Sequence, residues 1–250
     1  MAAHEKQEGH WAEGHDSLHD WIRQRLNMTD VQSIGHTGTK TDIIADGTRF
    51  SCKYVSGTNT QVHLTTFRRF KELFQPPAEV SDMLERWLGS HDEDLFESWR
   101  QDHPDLSREE LRRHRIHSDK FREWNNLLDW FNDNTQNGNL LETLIASLNG
   151  EPPVEKMLWI NKKKGYIKLI DVNKLLSYCK EHCEWVNSPD PRGAGTTLWL
   201  YDRRKNTRII HLQMKGSGNK MGDYHGMMFH MHETWPQDTV LNEETDFWLR

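Results

Sequence analysis

Hydrophobic positions along the chain alternate between helical and strand-like spacing. Residues 4–27 carry them at the three- and four-residue spacing of a helix, with Asp16 as a candidate N-cap. A polar loop at 56–60 precedes a second stretch of helical spacing over 62–74, which Pro76-Pro77 ends. Short hydrophobic runs bounded by turn residues predict strands between these two helices, at about 31–35, 41–45 and 49–55.

The middle and the end of the chain differ in pattern. Residues 78–148 predict helices throughout, whereas the chain after Pro152-Pro153 predicts strands around one helix at about 171–182. Those strands are expected at 156–160, 166–170, 196–201, 207–215 and 225–232. The order of elements predicts an α/β fold, a mixed β-sheet flanked by helices, with a helical insertion and a C-terminal strand region. We therefore divide the chain into a first core part (1–75), a helical subdomain (76–150) and a C-terminal α/β part (151–250) that completes the sheet.

Composition narrows the class of protein. The 250 residues include eleven Trp, enough apolar area for a globular core, and only three cysteines, which give no disulfide framework. No apolar run is long enough to span a bilayer, and the N-terminus is unlike a signal peptide, so we expect an intracellular, cytoplasmic protein. The net charge of −6 argues against a nonspecific DNA coat protein, although it allows a basic cleft.

The stretch from Lys40 to Lys53 carries the candidate chemistry. Asp46-Gly47 predicts a tight turn between two strands. Ser51 and Lys53 are two residues apart, so they point to one face of their strand, and the hairpin brings Asp42 close to them. A carboxylate, a hydroxyl and an amine on one spot suit metal-assisted hydrolysis of a phosphodiester, because the carboxylate can hold a hard divalent cation. The amine can orient or deprotonate water and neutralise charge on phosphorus.

Three further motifs accompany this hairpin and suggest a family. Lys40-Thr41-Asp42-Ile43 followed by Ser51-Cys52-Lys53 resembles the core of PD-(D/E)XK nucleases, and in particular type II restriction endonucleases. Small enzymes of that branch carry Gly-x-x-x-Glu on the first helix, a Gln shortly after the Lys, and a late Gln-x-Lys-Gly strand. The corresponding residues here are Gly9 and Glu13, Gln61, and Gln213-Met214-Lys215-Gly216. Two departures are Ser51 in the place of the acidic ligand and the absence of a Pro before Asp42.

The resemblance implies a restriction-endonuclease-like fold that cleaves double-stranded DNA at a short specific site with Mg²⁺, or Mn²⁺ as a substitute. It implies catalytic roles for Asp42, Ser51, Lys53 and Glu13, of which Asp42, Ser51 and Glu13 hold the metal. Helical geometry leaves two alternatives for this last position: the helix starts after Gly14, or Glu8 is the better candidate, although the resemblance points to Glu13. A homodimer would suit cleavage of a palindromic site, because the two-fold symmetry of the protein would match that of the DNA. A monomer would instead suit nicking of one strand. A prokaryotic or phage-like context is the natural setting.

Polar residues near the hairpin and in the late strand are candidates for contact with DNA. Gln can bond an adenine edge through two hydrogen bonds, and a glycine-rich basic loop lets backbone N–H groups approach phosphate. The candidates are Asn59, Gln61, Thr65, Lys215 and Lys220. Two alternatives to sequence-specific cleavage stay open: a nonspecific, repair or structure-specific nuclease, and a nucleic-acid-binding protein with a degenerate, inactive core.

Two other groups of residues are weaker candidates for a catalytic or metal site. Asp202 with Gln213 and Lys215 repeats the Asp…Gln-x-Lys pattern and ranks second. Cys179 and Cys183 lack a second pair of ligands for zinc, so we interpret them as packing residues.

Overall fold

The computed structural model describes residues 17–34, 39–89, 100–107, 110, 124–148, 150–187, 197–215 and 226–245. Its helices are α1 (17–26), α2 (Phe67–Phe74), α3 (Ala78–Gly89), α4 (Trp124–Gln136), α5 (Asn139–Leu141) and α6 (Val172–His182). Its strands are β1 (Val31–Ser33), β2 (Ile43–Ala45), β3 (Thr48–Tyr54), β4 (Asn59–Thr66), β5 (Lys156–Asn161), β6 (Tyr166–Asp171), β7 (Cys183–Asn187), β8 (Thr197–Asp202), β9 (Thr207–Lys215), β10 (Gly226–His232) and β11 (Val240–Thr245). A π-helical turn at Glu142–Ala146 continues α5, and a 3₁₀ turn at Gln237–Thr239 precedes β11.

The chain forms two compact units. Unit 1 contains residues 1–55, 145–173 and 238–250, and unit 2 contains residues 56–144 and 174–237. The sequence-based division at 75 and 150 stays a prediction about how the chain is organised.

Unit 1 is built on a six-stranded mixed sheet in the order β1-β2-β3-β5-β6-β11. Strands β3 and β5 run parallel, and the other neighbouring pairs run antiparallel. Helix α1 covers one face, where Leu18 and Ile22 are buried together with Phe50 and Ile160. The predicted fold class, a mixed α/β structure with a mixed sheet flanked by helices, is confirmed.

Unit 2 is built on a five-stranded antiparallel sheet in the order β4-β10-β9-β8-β7. Aromatic side chains join its helices to one face of this sheet. The ring of Phe131 on α4 lies 6.2 Å from Phe70 on α2 and 5.2 Å from Trp185 on β7, measured between centroids. The indole N–H of Trp185 donates to Thr135 at 2.7 Å. Phe131 therefore belongs to the core of unit 2, together with Phe70 and Trp185.

One predicted helix is wrong in its first half. Residues 62–66, expected to be helical, lie in strand β4, which begins already at Asn59 inside the predicted polar loop. The β-branched residues Val62, Thr65 and Thr66 favour a strand, and β10 provides the partner. The helix starts only at Phe67, where the Thr66 hydroxyl accepts a hydrogen bond from the backbone N–H of Arg69 at 3.2 Å.

Two strands were not predicted. Strand β7 follows α6 without a loop, and β11 lies near the end of the chain beside β6. No helix within the described ranges is long and apolar enough to cross a membrane.

Candidate active site in the mixed sheet

The turn at Asp46-Gly47 sets the geometry of the site. Both residues have positive φ, 45° and 83°, as a two-residue hairpin of the I′ type requires. The Asp46 carboxylate accepts hydrogen bonds from the backbone N–H groups of Asp30, at 2.8 Å, and Thr29, at 3.1 Å. These bonds lower the pKa of Asp46 and tie the turn to the loop before β1. The register of β2 and β3 is thereby fixed, with Ala45 opposite Thr48.

Asp42 immediately precedes β2 and faces β3. Its backbone N–H donates to the carbonyl of Phe50 at 2.8 Å. Its Oδ2 accepts hydrogen bonds from the backbone N–H of Cys52, at 2.6 Å, and from the hydroxyl of Ser51, at 3.3 Å. The expected approach of Asp42 to Ser51 is therefore present. Its other oxygen, Oδ1, receives no hydrogen bond from any residue that the structure describes.

The alternation of β3 separates polar from apolar side chains. Phe50 is buried in the core beneath α1, and Cys52 and Tyr54 pack against that core. Ser51 and Lys53 lie on the opposite face, with Ser51 fully buried and Lys53 half-buried. Burial, together with the charge of Asp42, raises the pKa of the Cys52 thiol, so this cysteine offers no thiolate near neutral pH.

Lys40 is a second lysine at this site, and its role was missed in the sequence. Its side chain is 4 % exposed. Burial, followed by the charge of nearby Lys53, lowers the pKa of Lys40 to about 7, and the carboxylates of Glu151 and Asp42 partly oppose that shift. Lys53, Glu151 and Asp42 are thus all close enough for their charges to act on Lys40.

Glu151 is the other missed residue. Its Oε1 accepts hydrogen bonds from the backbone N–H groups of Lys40 and of Leu148, the latter at 3.2 Å. Its Oε2 lies 3.5 Å from the hydroxyl of Thr41. Ser147 holds the backbone in place by donating its hydroxyl hydrogen to the carbonyl of Glu151 at 2.7 Å. A carboxylate separated from Lys40 by 111 positions leaves no local signal in the sequence.

Only some of the residues expected to hold a metal are among those that the structure describes. Glu13 and its alternative Glu8 lie outside the described residues. Within the described part of the chain, no group of three or more His, Cys, Asp or Glu side chains is placed to hold a metal ion. Oxygen donors are nevertheless present, because Asp42 presents Oδ1 and Ser51 a hydroxyl. This donor set fits a hard cation that keeps several of its waters.

The residues expected to contact DNA lie in unit 2. Gln61 is exposed on β4 opposite His230, and Asn59 is half-buried opposite His232. Thr65 is buried, and its hydroxyl donates to the carbonyl of Thr66 at 3.2 Å. Lys215 ends β9, and Lys220 lies outside the described residues. The roles of these residues in binding DNA stay predictions.

The rival site around Asp202 is not assembled. Asp202 pairs with Thr207 at one end of the β8–β9 hairpin, whereas Gln213 pairs with Thr197 at the other end. Thr197 and Asp202 are five positions apart on β8, which is about 16 Å of strand. Asp202 instead builds the connecting turn, since it accepts hydrogen bonds from the Tyr178 hydroxyl and from the backbone N–H groups of Arg204, at 3.0 Å, and Lys205, at 3.2 Å. The interpretation of Asp202, Gln213 and Lys215 as one catalytic group is wrong.

Comparisons with known proteins give few matches. No protein-family model matches the chain, and no curated protein sequence matches it. Among solved structures, the chain is similar to a crystal structure of the restriction endonuclease MspI in complex with its cognate DNA. That similarity has a TM-score of 0.40 and 9 % sequence identity, and it covers 86 % of this chain and 77 % of the other.

Proposed function

We propose that this protein is an endonuclease that hydrolyses phosphodiester bonds of double-stranded DNA at a short specific site and requires Mg²⁺. The observation that carries the proposal is the hydrogen-bonded approach of Asp42 to Ser51, two positions before Lys53 on the same face of β3. A carboxylate beside an amine on a polar face is the arrangement that phosphoryl chemistry needs: one anchors a cation and the other acts on water or phosphate.

Asp42 would hold the cation through Oδ1, and Ser51 and a carboxylate from the N-terminal segment would complete the ligand set. When bound, Mg²⁺ would polarise the phosphate and lower the pKa of a coordinated water. The hydrogen bonds that Oδ2 accepts from Cys52 and Ser51 fix the direction of Oδ1. A ligand oriented in advance loses little entropy when it binds.

Lys53 supplies the charge that the reaction needs. Its ammonium group forms no ion pair with a carboxylate of the described residues, so it is available to a phosphate oxygen or to the attacking water. Buried Lys40 in its protonated form offsets part of the negative charge of Asp42 and Glu151, and its pKa of about 7 leaves it only partly protonated at neutral pH. Glu151 positions the backbone of Lys40 and, through it, the start of β2.

Incubation of the protein with mixed plasmid DNA and Mg²⁺, followed by sequencing of the fragment ends, tests the proposal. Discrete ends within one short sequence are expected. A continuous distribution of ends would mean a nonspecific nuclease. Intact DNA, at protein concentrations at which the DNA is bound, would mean a binding protein.

The second candidate, a nucleic-acid-binding protein with an inactive core, is favoured by one observation. Ser51 occupies the position at which the PD-(D/E)XK nucleases that this chain resembles carry an acidic metal ligand, and its side chain is fully buried. Isothermal titration calorimetry with duplex DNA, in the presence and absence of Mg²⁺, separates the two candidates. A protein with an inactive core binds the duplex but shows no Mg²⁺-dependent heat of DNA hydrolysis.

A further inference from the structure

The turn between β5 and β6 carries three consecutive lysines, Lys162, Lys163 and Lys164, all exposed. We refer to these three residues as the lysine turn. We infer that the lysine turn binds the phosphate backbone of duplex DNA next to the phosphate that is cut. The inference rests on the proposed function and adds to it the surface in unit 1 that grips the substrate.

The position of the lysine turn relative to the site follows from strand register. Strands β3 and β5 are parallel, with Lys53 beside Trp159 and Tyr54 beside Ile160. Both strands therefore end at the same edge of the sheet, and the lysine turn begins directly after β5. Lys162 follows Trp159 by three residues, which is about 10 Å along the strand direction. Because phosphates on one strand of B-DNA advance about 3.4 Å each along the helix axis, this distance corresponds to about three phosphates.

The lysine turn is held in a defined shape. Asn161, fully buried at its base, accepts a hydrogen bond from the backbone N–H of Lys164 at 2.9 Å through its side chain. Its carbonyl accepts another from the N–H of Gly165 at 2.8 Å, and Gly165 has the positive φ, 73°, that closes the turn. The ammonium group of Lys162 lies 5.2 Å from the ring centre of Tyr54, the last residue of β3. A turn fixed in this way loses little conformational entropy when it binds a ligand.

The ammonium groups of Lys163 and Lys164 are available to a polyanion. Lys163 and Lys164 form no ion pair with the carboxylates that the structure describes. Other basic residues on the same sheet are paired: Lys156 with Asp171 at 2.9 Å and Lys168 with Glu243 at 3.2 Å. In a chain with a net charge of −6, the three adjacent lysines form a local positive charge at the edge where β3 and β5 end, and this charge is opposite to that of DNA.

The salt dependence of binding to a short duplex tests the inference, measured by fluorescence anisotropy in EDTA so that the duplex stays intact. The variant Lys163→Ala/Lys164→Ala is compared with Arg23→Ala/Arg25→Ala, which removes two exposed charges from α1 in the same unit. The plot of log Kd against log salt concentration is expected to lose about two units of slope in the lysine-turn variant, since each phosphate contact contributes about 0.9. The α1 variant should keep the wild-type slope, and Lys163→Arg/Lys164→Arg should keep it as well.

A scan with methylphosphonates locates the contact. Each substitution removes one phosphate charge, and the wild-type protein is expected to lose affinity at positions within about three phosphates of the mapped cut. The lysine-turn variant should be insensitive at those positions. Equal losses in both proteins would overturn the inference.

Further outcomes separate this inference from the proposed function. This inference alone is overturned if the wild-type protein binds and cuts the duplex and the lysine-turn variant keeps the wild-type affinity and the wild-type slope of log Kd against log salt concentration. Equal loss of slope in the α1 variant does the same, because the effect is then general charge. A wild-type protein that binds no duplex overturns both conclusions, and binding of labelled polyglutamate through the lysine turn in that case would assign the turn to an acidic protein instead.

Discussion

The carboxylate of Glu151 accepts a hydrogen bond from the backbone N–H of Lys40, although 111 positions of chain separate the two residues. The same oxygen accepts a hydrogen bond from the N–H of Leu148 at 3.2 Å. A loop that follows the helical region is thereby joined to the residues that enter β2. The position of Asp42, two residues after Lys40, depends on this link.

Glu151→Ala is expected to lower the free energy of unfolding by about 1–3 kcal/mol, because it leaves two backbone N–H groups without their acceptor. Glu151→Gln keeps an acceptor oxygen and should lose less. Urea denaturation followed by circular dichroism measures the difference. The matched control is Glu155→Ala, an exposed glutamate in the same loop. Equal stability of the Glu151→Ala and Glu155→Ala variants would show that the link carries no energy.

Asp42→Asn is expected to lower DNA cleavage by more than about 10³-fold, because the charge that anchors the cation is lost. Asn is the sharper substitution here, since its oxygen can still accept the hydrogen bond from the N–H of Cys52, whereas Ala would remove that acceptor. Lys53→Met should reduce cleavage by about 10²–10⁴-fold. Initial rates on the mapped site, with melting temperatures alongside, measure both effects. Undiminished cleavage by a folded Asp42→Asn protein would remove Asp42 from the site.

The features that could be predicted from the sequence are those set by neighbouring residues, such as the turn between β2 and β3. The turn at Asp46-Gly47 requires two residues with positive φ, and it fixes the register that brings Asp42 to Ser51. The prediction of a helix over 62–74 was wrong in its first half. Val62 and Phe70 are eight residues apart, which matches a helical period, but the β-branched residues between them favour a strand. Glu151 and Lys40 could not be paired from the sequence, because nothing local specifies a contact made through tertiary structure.

The histidine pair in unit 2 predicts a loss of stability in acid. The Nδ1 of His211 and the Nε2 of His232 are 2.6 Å apart, and the His230 ring stacks on His211 at 4.7 Å. Burial, followed by the charges of neighbouring histidines and of Arg208, lowers the pKa of His211 to about 3. Burial and the charges of Arg208 and His230 lower the pKa of His232 to about 4. Both folded-state values lie below the usual 6.5, so between pH 6.5 and about 4 the unfolded chain binds protons that the folded chain does not.

The contribution of these two histidines to the free energy of unfolding is therefore fully present above pH 6.5. It is lost as the pH decreases towards about 4. Each such proton contributes about 1.4 kcal/mol per pH unit to the slope. His211→Gln/His232→Gln should flatten this part of the stability profile, measured by urea denaturation from pH 7 to pH 4. His103→Gln, at a partly exposed site in the same unit, is the control. An unchanged slope in the double variant would contradict the prediction.

Gln61→Ala is expected to weaken discrimination between the specific site and its single-base variants by about 1–3 kcal/mol, if Gln61 reads a base edge through two hydrogen bonds. Its side chain is exposed on β4, as such a contact requires. Competition binding against a panel of single-base variants measures the effect, with exposed Gln101→Ala as the control. A uniform loss across all sequences would instead assign Gln61 to the DNA backbone.

The site also predicts which metals support cleavage. Its candidate ligands are oxygens of Asp42 and Ser51. Cys52 lies on the opposite face of β3, and the raised pKa of its thiol keeps it protonated. Hard cations that accept an octahedral oxygen shell should therefore act, namely Mg²⁺ and Mn²⁺. Ca²⁺ should support DNA binding with little cleavage, because its longer and more variable bonds position water poorly.

Add-back of single metals after exhaustive EDTA treatment measures this selectivity. No cleavage is expected in EDTA, and full cleavage is expected on return of Mg²⁺ or Mn²⁺. The Asp42→Asn variant is the matched control, since it should keep its fold but gain nothing from either metal. Because Ser51 replaces a carboxylate, the site has less negative charge than one with two acids, so its Mg²⁺ requirement should extend to millimolar concentrations. Full activity in EDTA, or rescue by Zn²⁺ alone, would show that the Asp42 hairpin is not a site for a hard cation.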